Sequence, residues 1–366
     1  MKQDNAQSVS RRWPTVVDLF SGSGAVTAAL RQSRFRVVAA VDNDPIACDT
    51  YRLNHPSIKM IEGDVRKVDP ENIRRKYLKG EDVDVLVVCA PCQPFSSQNR
   101  KRGVDQRSTL ILEAGRFAQV LNPKIIFFEN VPGLASQSDL LTELKEKLGK
   151  DYTLGKAERV DAADYGVPQR RIRCIMFATR NSTPPKVPAP TTPKGNRVDV
   201  FKAIGHLPPL KAGEYDKDDK LHTARKHQEI ALRRLKAIPK DGGSRSSLPP
   251  DLALACHVGV GEGKFSDVYG RMKWKDVAPT LTTGCTDITR GRFAHPRDDR
   301  AITAREAALL QTFPPGYKFK GNGSEIQTQI GNAVPVKLVE ALAPTLRKAL
   351  NASANGLEPI AEIQRP

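Results

Sequence analysis

The stretch Val85-Leu-Val-Val-Cys-Ala-Pro-Cys-Gln-Pro-Phe-Ser-Ser97 constrains the fold more than any other. Its apolar, β-branched half reads as a strand buried on both faces, the kind found in parallel sheets. Its second half is a loop that holds Cys92 between Pro91 and Pro94, which stiffen the backbone on either side of the thiol. Open parallel sheets bind ligands at the carboxyl ends of their strands, so Cys92 stands where a ligand would meet it. Taken alone, the segment fits either a displayed nucleophile or a structural loop cysteine.

The neighbouring units repeat this logic. Thr15 to Phe20 reads as a strand, Ser21-Gly-Ser-Gly24 as a turn, and Ala25 to Arg31 as a helix. Gly22 and Gly24 let the backbone approach a ligand at a helix N-terminus, although a tight strand-to-helix turn needs glycine anyway. A second strand, Arg36 to Val41, ends in Asp42, roughly 20 residues past the glycine turn, where an acidic group accepts from a ribose. After a helix from Pro45 to Asn54, the strand Ile58 to Ile61 brings Asp64 to the same end of the sheet. Each aspartate could be a helix cap. Polar groups at three successive strand ends are better explained by one shared ligand, and with no Walker sequence and a short glycine pattern that ligand is a nucleoside without phosphates.

Residues 70–79 read as a helix, followed by the Cys92 strand and a helix from Thr109 to Val120. The strand Lys124 to Glu129 then delivers Glu129 and Asn130. A carboxyl at a strand end beside an apolar site has a raised proton affinity and can donate to a ring nitrogen, with helix capping as the plain alternative. A helix from Asp139 to Leu148 and a strand from Tyr152 to Val160 come next. Beyond them Gln169, Arg171 and Arg173 share one face of an extended segment, suited to a base or phosphate or else to mere surface charge. The basic, glycine-containing run 97–107 suits a loop that closes over a polyanion, or simply a solvated one.

A formal charge of +17 and a pI near 9.7 point to nucleic acid as the partner. The 366 residues allow one large domain and a smaller one. The six cysteines lack paired metal spacing, and Cys89-x-x-Cys92 stands alone, so no metal is expected. No apolar stretch reaches membrane-spanning length and the first residues lack a signal-peptide pattern, so a soluble, cytoplasmic protein is expected. The proline-rich run Ser182 to Pro193 marks a boundary. The expected organisation is a disordered leader (1–13), a large α/β domain (14–180), an irregular basic module that reads the substrate (181–300), a return to the large domain (301–350) and a tail (351–366). The return opens with a helix from Thr303 to Gln311, capped by Thr303 and Glu306. A final helix starts in Ile330-Gly-Asn-Ala-Val-Pro335 and runs to about Leu350.

Taken together, Asp18-Leu-Phe-Ser-Gly-Ser-Gly24, Ala90-Pro-Cys-Gln-Pro-Phe-Ser96, Glu129-Asn-Val131, Gln169-Arg-Arg-Ile-Arg173 and Gln329-Ile-Gly-Asn-Ala-Val-Pro335 resemble the motifs of the prokaryotic DNA (cytosine-5) methyltransferases, in family order over nearly the whole chain. One departure is Ala25, where the family often has another glycine. The resemblance implies a Rossmann-like S-adenosylmethionine-binding large domain, a small target-recognition domain, and double-stranded DNA in the cleft between them. It implies Cys92 as nucleophile toward cytosine carbon 6, Glu129 at ring N3, and Arg173 at the base carbonyl with Arg171 and Gln169 in support. Phe20, Gly22, Gly24, Asp42, Asp64, Pro91 and Asn332 would meet the cofactor, and Gln93 and Ser96 the DNA. The target cytosine would be flipped out of the duplex. Gln93 argues against the tRNA-directed branch, which often departs from glutamine there, and the presence of Cys92, Glu129 and Arg173 argues against a noncatalytic homologue. A monomer, with or without a cognate restriction endonuclease, is the expected state.

Overall fold

The structure, a computed structural model, describes residues 12–91, 106–254 and 267–354. Its centre is a sheet of eight strands: β1 (Thr15–Leu19), β2 (Arg36–Asp42), β3 (Lys59–Glu62), β4 (Val85–Val88), β5 (Ile125–Asn130), β6 (Tyr152–Leu154), β7 (Glu158–Asp161) and β8 (Ile172–Arg180). The order is β3-β2-β1-β4-β5-β8-β6, with β7 also pairing with β8. Strands β1 to β5 are mutually parallel and β8 runs antiparallel to β5. The order reverses between β1 and β4, which makes the carboxyl ends of these two strands the switch-point crevice of an open α/β sheet.

Alternation along the strands sorts side chains onto two buried faces. Val16, Val85, Val87, Ile125, Phe127, Ile175 and Phe177 enter one apolar cluster. Val17, Leu19, Leu86, Val88, Ile126, Phe128 and Met176 enter the other. Helices α1 (Ala25–Gln32) and α10 (Val336–Ala354) lie against each other, and α4 (Glu113–Leu121) packs against both α3 (Pro70–Tyr77) and α5 (Ser138–Leu148). Helix α2 (Pro45–Asn54) opens with proline and is capped by Asp44, whose carboxylate accepts from the Ile46 and Ala47 amides.

Three elements differ from expectation. The single strand expected over 152–160 is two, because the chain is pinned at Gly155, where a Cβ would stand 2.9 Å from the Phe177 carbonyl oxygen and 3.0 Å from Pro184. The helix expected from Thr109 begins only at Glu113, since no side chain caps it, and the chain enters it through 3₁₀ turns over Gln106–Leu112. The helix expected from Ile330 is two helices. Helix α9 (Gly323–Asn332) has an Asn322–Glu325 capping box and ends before Pro335, and α10 follows.

Between β8 and α8 (Ala304–Leu310) the described chain forms only short helices, α6 (Val200–Ile204) and α7 (Glu229–Ala237), 3₁₀ turns and isolated bridges. Leu235, Ile238, Tyr269, Ile288, Ala294 and Ala301 make a small core there. Val200, Met272, Leu281 and Phe293 instead join the cluster on the sheet. Buried arginines replace a backbone ladder. Arg271 donates to the carbonyls of Leu235, His295 and Asp298, and Arg300 makes a two-pronged ion pair with Glu306, 2.8 Å on each prong. Helix α8 carries the expected capping box between Thr303 and Glu306.

Candidate active site

The loop after β1 lies at the switch point. Phe20, Gly22 and Gly24 all have positive φ (59°, 51° and 91°), a conformation costly for a bulky aromatic. From the β2 side, the Val41 carbonyl accepts from the Ser21 amide at 3.1 Å, and the Gly22 N–H donates to Asp42 Oδ2 at 2.7 Å. The other Asp42 oxygen accepts from the Asp44 amide at 2.9 Å. Burial raises the proton affinity of Asp42, and these backbone donors oppose it. A Cβ on Gly22 would have nothing within 4 Å among the described residues. Gly24 is required for another reason than ligand approach: its Cβ would stand 2.7 Å from the His55 ring and 2.9 Å from the Tyr317 hydroxyl.

Asp64 follows β3 and caps a 3₁₀ turn, accepting from the Arg66 amide and from its guanidinium at 2.5 Å, which holds the Asp64 carboxyl down at about 2. Both of its oxygens are therefore engaged by Arg66. Asn332 is exposed at the carboxyl end of α9.

Alternation places Glu129 of β5 on the same face as Phe127, and Arg173 of β8 on that of Ile175. The register pairs Glu129 with Ile175 and Asn130 with Cys174, so Arg173 is the diagonal neighbour of Glu129. Arg173 Nε stands 2.9 Å from Glu129 Oε1, with the glutamate buried and the arginine partly so. Burial raises the proton affinity of Glu129, and Arg173 and Arg171 counter this only in part. The next residue, Asn130, donates from Nδ2 to the Ala90 carbonyl at 3.0 Å and accepts the Val131 amide at 2.8 Å. It thereby ties the end of β5 to the chain as it leaves β4 for Pro91. Cys92, Gln93, Ser96 and the run 97–105 lie outside the described residues.

Gln169 and Arg171 are turned inward. Gln169 is fully buried, donates to Gln311 Oε1 at 2.9 Å and accepts the Leu281 amide at 2.9 Å. Arg171 donates to the carbonyls of Leu281 at 2.9 Å and Gly331 at 2.7 Å. Gln311 reaches the same turn, donating to the Ile330 carbonyl at 2.6 Å. The three side chains expected to share one polar face thus part company: Arg173 faces Glu129, whereas Gln169 and Arg171 are engaged inside the protein. These two brace the turn that carries Asn332, because the chain on both sides of them is covered by 281–283 and by α9. Gly331 permits that cover: a Cβ there would lie 2.6 Å from the backbone of Thr282 and Thr283.

Among the described residues no group of three or more His, Cys, Asp or Glu side chains could hold a metal ion, and no helix is long and apolar enough to cross a membrane. Sequence reasoning had no signal for three buried groups behind the glycine loop. They are His55, Tyr317 and the Oδ1 of Asp18, which has no partner among the described residues, and only Asp18 lies within a recognised motif.

A profile of C-5 cytosine-specific DNA methylases matches residues 14–348. The Type II methylase M.HgiDII of Herpetosiphon aurantiacus is 36% identical over 342 residues, 92% of this chain and 95% of its own. The Type II methyltransferase M.PspPI of a Psychrobacter species is 34% identical over 354 residues, 93% of this chain and 80% of its own. Among solved structures, a candidate DNA modification methyltransferase from an E. coli prophage superposes with a TM-score of 0.72 at 23% identity, covering 92% of this chain and 99% of its own. Spodoptera frugiperda DNMT2 superposes with a TM-score of 0.60 at 20% identity, covering 92% of this chain and 99% of its own. At these identities the structural likeness speaks for the fold alone.

Proposed function

The chain belongs to the C-5 cytosine-specific DNA methylases, a DNA cytosine-5 methyltransferase of the Type II kind, and on that premise we propose how its residues divide the reaction. Cys92 adds as a thiolate to carbon 6 of a cytosine flipped out of the duplex, since carbon 5 is otherwise a poor nucleophile and lies within the base stack. Glu129 hydrogen-bonds and protonates the ring at N3, and Arg173 polarises the base carbonyl while holding Glu129 in place. After carbon 5 is alkylated, loss of its proton expels Cys92. The observation that carries this division is the Glu129–Arg173 pair, 2.9 Å apart with the glutamate buried, and Asn130 fastened to the strand exit that leads to Cys92.

S-adenosylmethionine is the cofactor in this reading and supplies an electrophilic methyl group. The residues around the first loop fit its nucleoside. Phe20 is a partly exposed aromatic ring, Gly22 has room for a ligand among the described residues, and Asp42 supplies a carboxylate to a ribose. Helix α1 starts at Gly24 without a capping side chain, which leaves its first-turn amides to a polar group of the ligand. Pro91, Asp64 and Asn332 would complete the cofactor's surroundings. The irregular module between 181 and 300 would read the DNA sequence, with exposed basic groups such as Lys226 and Lys273 available to phosphates. The enzyme would act as a soluble monomer in the cytoplasm, with or without an endonuclease that cuts the same sequence.

Bisulfite sequencing of DNA from a methylation-free bacterial host tests this directly. Expression of the chain should protect cytosines within one short sequence, and Cys92→Ala should protect none. Protected cytosines in cells carrying Cys92→Ala would overturn the covalent route.

A further inference from the structure

The glycine loop is held from β2 on one side and by a buried polar pair on the other. We propose that His55 and Tyr317 are positioning residues that set the affinity of the glycine loop for the cofactor, an inference that rests on reading this loop as the S-adenosylmethionine site. His55 follows α2, Tyr317 comes from the segment between α8 and α9, and both are almost fully buried.

Their hydrogen bonds admit one assignment of protons. Arg31 Nη1 lies 3.2 Å from His55 Nδ1, and a guanidinium can only donate, so Nδ1 accepts. The ring proton is then on Nε2, which stands 3.1 Å from the Gly24 carbonyl oxygen and 3.1 Å from the Tyr317 oxygen. The tyrosine keeps its own proton and gives it to the Ser23 carbonyl at 2.5 Å. Two consecutive loop carbonyls are thereby fixed from below. Burial lowers the basicity of His55 to about 4, so the assignment stands throughout the neutral range.

The pair is itself held firmly. Asn54 donates to the Lys318 carbonyl at 2.8 Å and accepts its amide at 3.1 Å, and the Lys320 amide donates to Thr50 Oγ1 at 2.9 Å. The Phe313 and Phe319 rings lie 4.9 and 5.5 Å from that of Tyr317. A loop that holds Phe20 at positive φ gains from such outside support, since a non-glycine residue does not favour that conformation by itself. Removing the Tyr317 hydroxyl leaves the aromatic packing intact but frees the Ser23 carbonyl. The loop then spends only part of its time in the receptive conformation, and cofactor affinity falls by that fraction.

Calorimetric titration of S-adenosylhomocysteine into wild type, Tyr317→Phe, His55→Gln, His55→Leu and Asp42→Ala, with steady-state kinetics alongside, tests the proposal. For Tyr317→Phe we expect Kd and the cofactor KM to rise about three- to tenfold, with kcat at saturating cofactor and the DNA KM within about twofold of wild type. His55→Gln, which retains an N–H donor, should lose less affinity than His55→Leu. That graded rescue stands by itself should Tyr317→Phe fold poorly. Weakened binding in Asp42→Ala with unchanged affinity in Tyr317→Phe, or equal losses in the two His55 variants, would overturn the proposal. No binding by wild type, or unchanged binding by Asp42→Ala, would instead sink the cofactor reading.

Discussion

Asp18 is a carboxyl sealed behind the glycine loop, fully buried on β1. Its Oδ2 accepts from Thr27 Oγ1 at 2.8 Å, and Thr27 in turn meets the Tyr51 hydroxyl at 2.9 Å. Its Oδ1 has no partner among the described residues. Burial, aided by the charge of Asp42 and opposed by Thr27, pushes the Asp18 carboxyl up to about 7 from 3.8. The folded protein therefore binds this proton more tightly than the unfolded chain does. The resulting penalty is absent below about pH 4, grows as pH rises, and is complete above about pH 7. Unfolding free energies from denaturant titrations across that window should fall for wild type relative to Asp18→Asn, and a difference independent of pH would show that Asp18 does not titrate there. At Glu129 the expected loss is one of chemistry. Glu129→Gln keeps the shape but cannot pass a proton, so turnover should drop by roughly 100-fold or more while cofactor affinity is retained. Turnover within a few-fold of wild type would remove Glu129 from the proton path.

At the scale of elements, two arginines two residues apart have opposite jobs. Arg171 joins the approach to β8 to α9 and to segment 281–283, whereas Arg173 faces Glu129. Arg171→Met strands buried carbonyls and should cost roughly 2–4 kcal/mol in chemical denaturation. Arg173→Met should lower turnover in a methyl-transfer assay far more than stability, and the reverse ranking would exchange the two roles. Both arginines stood out in the sequence as a pair on one face of a strand, because alternation is a local signal. Which one faced inward was not legible, since the Arg171 partners Leu281 and Gly331 lie 110 and 160 residues away. The same limit hid His55, whose contacts are 31 and 262 residues distant. The parallel strands and the polar groups at their carboxyl ends were readable because each strand and its following turn is a short, continuous pattern. The break at Gly155 was not, because the Phe177 carbonyl and Pro184 that impose it come from later in the chain.

For the molecule as a whole, a formal charge of +17 should make DNA binding steeply salt-dependent. Anisotropy titrations over a salt series should give a straight line of log K against log salt. Replacing exposed Lys226 and Lys273 by alanine should reduce its slope by roughly 1–2 if both meet phosphates, and an unchanged slope would place the contacts elsewhere. The brace between Tyr317 and Ser23 also bears on how the protein is made. These residues are 294 positions apart, so at about 5–20 residues per second a ribosome needs roughly 15–60 s to travel from one to the other. Over the last 187 residues of that stretch, once β5 is complete, a nascent chain has β1, β4 and β5 available to pair, yet its glycine loop lacks the lower support. Translation thereby imposes a delay between the first appearance of the sheet and the closing of its glycine loop from below.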